Sequence, residues 1–177
     1  LEFRRVLFRS GNFILQFEEG IFGPVFSLSI DSQDQVHIAD LDNDRIVIFD
    51  SNGKEIPSSG EQSKNLNAPC GIFCLEDGET LVGDRSEFLL KHFDANGKLI
   101  NQIKKEGLGF DDIYFLTSHP EYGIFGSDYW NNQIIHMNNN LEVVDVYRKQ
   151  GNRTGGLGKT AGLSIHNGRL AVSNFDG

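Results

Sequence analysis

The chain has little cysteine, two residues in 177. Cys70 and Cys74 stand four apart inside one apolar run. In an extended strand they face the same way but lie about 13 Å apart, too far for a disulfide, so buried free thiols are expected. Long apolar runs are missing too: no stretch approaches the roughly 18 residues of a membrane-spanning helix. No segment sustains a helical period, because Gly and Asn interrupt it too often. Positive charge is the minority, with Lys+Arg 16 against Asp+Glu 25 and a formal net charge of -9. Such a chain lacks the cationic footprint that nucleic acid and anionic lipid require, and neither is an expected partner.

Catalytic and metal motifs are equally scarce. None of His37, His92, His119, His136 and His166 has the H-E-x-x-H spacing of a zinc helix. No serine stands in a Gly-x-Ser-x-Gly elbow. Asp40-Leu-Asp42-Asn-Asp44 opens like a calcium loop, but Arg45 and Ser51 stand where that loop needs a Gly and a bidentate Glu. Gly155-Gly-Leu-Gly-Lys-Thr160 ends like a phosphate loop. Arg153 replaces its first Gly, and a strand pattern follows where a helix should hold the phosphate. No catalytic residue, metal or cofactor is assigned from the sequence.

What the chain does have is repetition. Asp40, Asp84 and Asp128 recur at a spacing of 44, and Asn174, 46 residues on, ends the corresponding strand of the next unit. Phe49, Phe93 and Met137 keep the same register, as do Ile56, Ile100 and Val144. The turn Asp50-Ser-Asn-Gly53 returns as Asp94-Ala-Asn-Gly97 and as Asn138-Asn-Asn-Leu141. A period of about 40–45 residues with four short strands per unit is the signature of a propeller blade. The expected fold is all-β: a β-propeller of four-stranded antiparallel blades, about four of them present. The units fall at about 11–23, 24–67, 68–110, 111–158 and 159–177, the last cut mid-blade. Residues 1–10 look like a non-native tail whose later part can serve as a leading strand. Phe26, Leu28 and Ile30 alternate with Ser27 and Ser29 and predict a half-buried strand. Asn52-Gly53 predicts a two-residue hairpin with both residues tolerant of positive φ. Residues 57–67 read as a polar connector.

The pattern Pro24…Asp31…Val36-x-Ile-Ala-Asp40-x-x-Asn43-x-Arg45-Ile-x-Ile-Phe49-Asp50-x-x-Gly53 resembles the NHL repeat. The resemblance runs from about residue 11 to the end and is strongest in the first full unit. Leu89 and Gln133 stand where the family places its Arg. The resemblance implies a six-bladed propeller, so this chain is read as a fragment, with further blades of the same propeller expected. It implies a non-enzymatic scaffold that binds a protein or small ligand through its loop face. It also admits an extracytoplasmic sensor domain, an RNA-binding propeller, and a metal-dependent lyase or hydrolase.

The candidate residues form two sets. Asp40, Asp84, Asp128 and Asn174 end the second strand of successive units, and as short Asx residues they are read as structural turn anchors. Tyr129, Trp130 and Asn131 lie in a loop between strands, close to a local charge reversal. There Arg148, Lys149, Arg153, Lys159 and Arg169 face a single acid, Asp145. Tyr129, Trp130, Asn131, Arg148, Lys149 and Arg153 are the ligand-binding candidates, since an aromatic beside cations suits an acidic or sugar-like ligand. The competing reading folds Trp130 back over the blade edge. His92 and His136, also 44 apart, either face one another across a seam or are satisfied separately.

Overall fold

The structure is a computed structural model and describes residues 6–9, 12–16, 22–58, 60–104, 111–148 and 157–174. A two-stranded antiparallel pair comes first, β1 (Val6–Arg9) with β2 (Asn12–Gln16). Three four-stranded antiparallel sheets follow in chain order. Blade 1 is β3 (Leu28–Ile30), β4 (Val36–Asp40), β5 (Arg45–Phe49) and β6 (Glu55–Ile56). Blade 2 is β7 (Pro69–Cys74), β8 (Thr80–Asp84), β9 (Leu89–Phe93) and β10 (Leu99–Lys104). Blade 3 is β11 (Ile113–His119), β12 (Gly123–Asp128), β13 (Gln133–Met137) and β14 (Val143–Arg148). A final pair, β15 (Thr160–His166) and β16 (Arg169–Asn174), continues the order. The first strands β3, β7, β11 and β15 pack successively against one another, so the sheets fan from a common inner edge. No described helix is long and apolar enough to cross a membrane.

Burial explains the repeat. The second strands β4, β8 and β12 are buried at every position: blades 1, 2 and 3 and the β15–β16 pair cover one another in turn, and Phe22 and Val25 of the entering connector pack on the other face of blade 1. The outer strand β10 is mostly exposed. Ala39, Ile46 and Ile48 of blade 1 share a core with Ile72, Val82 and Phe93 of blade 2. Leu81, Leu90 and Ile103 share the next core with Ile113, Leu116, Ile135 and Met137 of blade 3. In β8, Val82 faces the first seam and Leu81 the second, which is the period-two alternation of a strand. At the second seam the backbones nearly touch. A Cβ on Gly71 would sit 2.3 Å, and one on Gly83 2.2 Å, from the carbonyl oxygen of Ile113. Cys70 and Cys74 are free and buried, with the Cys70 Sγ 3.5 Å from the carbonyls of Gly83 and Ile113.

Three local expectations change. In β3 the serine face is the inner one: Ser27 is buried, while Leu28 and Ile30 are 56% and 55% exposed. The cause is polar bonding across the seam. Ser27 Oγ donates to the Ile72 carbonyl and accepts from the Ile72 N–H, and Ser29 Oγ accepts from the Cys74 N–H. The hairpin at Asn52-Gly53 places only Gly53 at positive φ, 80°. The Asp50 carboxylate accepts from the N–H groups of Asn52 and Lys54 and closes the loop without a second left-handed residue. The connector at 57–67 holds a short 3-10 helix, Gly60–Ser63, in which the Glu61 and Gln62 N–H groups donate to the Gly97 carbonyl. It therefore clamps the outer hairpin of blade 2. His92 and His136 follow the reading in which they are satisfied separately: each bonds inside its own blade, His92 to Glu79 (2.5 Å) and His136 to the Tyr122 carbonyl (2.6 Å).

Candidate functional site

Each repeated aspartate clasps the connector that enters its blade. The Gly23 N–H donates to Asp40, the Asn67 N–H to Asp84 and the Asp111 N–H to Asp128, each across 17 residues of chain. A side chain from the third strand completes each clasp, and its identity differs by blade. In blade 1 it is Arg45 Nε (3.0 Å), and in blade 3 Gln133 Nε2 (2.7 Å). Blade 2 has Leu89 at that place. There Lys91, two residues further on, turns back to Asp84 (2.7 Å), Glu87 (2.9 Å) and the Asn65 carbonyl (2.5 Å). Lys91 is almost wholly buried, and its three bonds use its three donors. Asn131 belongs to the clasp of blade 3, with Nδ2 on Asp128 and Asp111. Asn174 lies exposed at the end of β16, opposite Thr160.

The clasps fix the loops at one end of the blades, and there the aromatics collect. Phe26 of blade 1 meets Tyr114 of blade 3 edge to face at 5.3 Å. Tyr114 meets Tyr129 at 5.5 Å, and Tyr129 meets Trp130 at 5.1 Å, nearly perpendicular. Lys159, just before β15, sits 5.5 Å from the Tyr129 ring and 5.7 Å from the Trp130 ring. Trp130 is held there 51% exposed. It borders an open cleft of about 640 Å³ shared with Arg85, Ser86, Phe88, Asp111 and Asp112.

Asp112 is the unusual member of the cleft. It is 4% exposed. Its Oδ2 pairs with Arg85 Nε at 3.3 Å, while its buried Oδ1 accepts no hydrogen bond. Burial pushes its carboxyl above the ordinary value, against the nearby Arg85 guanidinium and Trp130 indole N–H. Among the described residues no three His, Cys, Asp or Glu side chains converge in a metal-holding group.

Comparison with solved structures then bears on the fold. The chain matches the WD40 β-propeller domain of Doa1 over 98% of its own length and 55% of that chain, with TM-score 0.72 and 13% identity. It matches a streptogramin B lyase over 93% and 52%, with TM-score 0.65 and 19% identity. It matches virginiamycin B lyase from Staphylococcus aureus over 85% and 48%, with TM-score 0.63 and 13% identity. This is a β-propeller fold. The chain spans about half the length of the propellers it matches. No family profile matches it.

Of the ligand-binding candidates, the structure brings together Tyr129 and Trp130, with Lys159 added. Arg148 ends β14, exposed and opposite Gln133. Lys149 and Arg153 lie outside the described residues, as does most of the Gly-rich connector. Arg85, Phe88, Asp112 and Tyr114 were not candidates. The signal that finds three of them is departure from the repeat. Asp44 and Asn132 match Phe88 at the spacing of 44, Leu41 and Tyr129 match Arg85, and Pro24 and Ala68 match Asp112.

Proposed function

We propose that this chain is part of a non-enzymatic, NHL-type propeller scaffold that binds a protein or small ligand through its loop face. The observation that carries the reading is Trp130. It is half exposed beside an open cleft, braced by Tyr129 and Lys159. A large amphipathic ring held rigid at little further entropic cost is what recognition surfaces use as an anchor. The Asp40, Asn43 and Arg45 bonds of blade 1 support the NHL-type reading. The lyase neighbours speak for the fold alone, because function sits in loops that identities of 13% and 19% do not carry over.

The reading includes further blades of the same propeller. Leu28 and Ile30 are open, whereas Ile72 and Leu116, at the place of Leu28 in blades 2 and 3, are 1% and 8% exposed beneath the preceding blade. Trp130 is the only tryptophan, so its emission reads this site alone. The free folded chain is expected to show a solvent-exposed indole that acrylamide quenches and a ligand shields. A blue-shifted emission insensitive to quencher in the free chain would falsify the binding-face reading.

A further inference from the structure

We infer that the cleft between the loops of blades 2 and 3, bounded by Phe88 and Trp130 and floored by Asp112, is a saccharide subsite. The inference rests on the binding-face reading above and names the chemistry of its ligand.

Phe88 is the first observation. Its φ is 54°, in the left-handed region that a bulky side chain adopts at a cost. Asp44 and Asn132, its counterparts in the repeat, have φ of 53° and 52°. Those blades place there the residue types that tolerate the conformation. Blade 2 instead keeps an aromatic, 44% exposed, on the wall of the cleft that Trp130 also lines. Strain retained beside a concavity points to a role in the concavity.

Asp112 Oδ1 is the second. A buried acceptor without a donor is a standing cost, and a ligand that brings a donor removes it. Charge then narrows the class. Among the described residues of the cleft and its margin, Arg85 and Lys159 balance Asp111 and Asp112. A cationic ligand would meet Arg85 and Lys159. An anionic one would set its acceptors against Asp112 Oδ1. A neutral hydroxyl suits the acceptor, and Arg85 keeps further guanidinium N–H groups for a ligand oxygen. Two exposed aromatic rings at the margin favour a ring with an apolar face. A pyranose has that C–H face and a rim of hydroxyls that both donate and accept. The volume, about 640 Å³, falls in the usual range for small-ligand sites and takes a short saccharide.

The test uses the intact chain and reads Trp130 emission and acrylamide protection. Cellobiose, lactose and N,N′-diacetylchitobiose are titrated to about 20 mM, with spermidine and citrate alongside, a range that captures millimolar affinities. At least one disaccharide is expected to shield Trp130. Phe88→Asn, which suits the left-handed position, is expected to weaken that binding about tenfold while the melting temperature stays level or rises. Asp112→Asn is expected to weaken it as well. Binding that survives both substitutions unchanged overturns the proposal, as does a failure of all three sugars. A charged probe that shields Trp130 when the sugars do not overturns the saccharide class and leaves the binding face standing. A Trp130 already shielded in the free chain overturns both.

Discussion

The buried carboxylates of this protein have opposite needs. Asp84 lies under Lys91, and neither charge reaches water. Removing Asp84 leaves the buried Lys91 with only Glu87 and the Asn65 carbonyl, a loss of up to about 3–5 kcal/mol for a buried pair. Asp84→Ala should therefore lower the urea midpoint sharply, and Asp84→Ala with Lys91→Met should recover much of the loss. A double variant as unstable as the single one would show that the aspartate acts through the connector alone. Burial raises the pKa of both carboxyls, but Asp112 keeps one oxygen unbonded and has no buried lysine against it. A folded pKa above the unfolded one gives stability that is complete below the ordinary carboxylate value and lost as pH rises through the raised value. Asp112→Asn removes that slope. The variant's melting temperature should gain on the wild type from about pH 4 to about pH 7. A constant difference across that range would remove Asp112 from the pH dependence.

At the scale of strands and turns, the sequence marks periods but not partners. The 44-residue spacing locates β4, β8 and β12, because their buried positions must repeat in every blade. The inner face of β3 is left open by the pattern for the same reason. Alternation tells which residues share a side, and only the seam tells which side is inner. Ser27 and Ser29 are inner because they bond the backbone of β7. Likewise Leu89 carries no polar group for the clasp, and Lys91 reaches Asp84 from the next same-face position. Close approach is invisible to a pattern as well. Gly83 sits against the Ile113 carbonyl, where a Cβ has no room. Gly83→Ala should cost about 1–3 kcal/mol by forcing blades 2 and 3 apart. A thermal melt of that variant matching the wild type would mean the seam is looser than its geometry.

For the whole molecule, each blade is stabilised mainly by its neighbours, so cooperativity should grow with blade number. A longer chain that adds repeats before blade 1 should bury Leu28 and Ile30 and sharpen the thermal transition. Hydrogen exchange in β3 and β4 should slow in parallel. Unchanged exchange there would leave those residues as open surface. The fan also creates the site, since the rings of Phe26, Tyr114, Tyr129 and Trp130 come from two blades, with Phe26 in one and the other three in the other.

The sequence alone determined the all-β class, the blade period, the aspartate at the end of each second strand and the loop that carries Trp130. All of these are local or periodic, and a period of two within strands and of 44 between blades is written directly in residue order. Tertiary structure decided the rest. It made the serines of β3 inner, sent Lys91 to Asp84, and gathered Arg85, Phe88 and Asp112 around Trp130. These depend on which surfaces meet when the sheets stack. Arg85, Phe88 and Asp112 stand 45, 42 and 18 residues before Trp130, and they become its neighbours only when the loops of adjacent blades are brought to the same end.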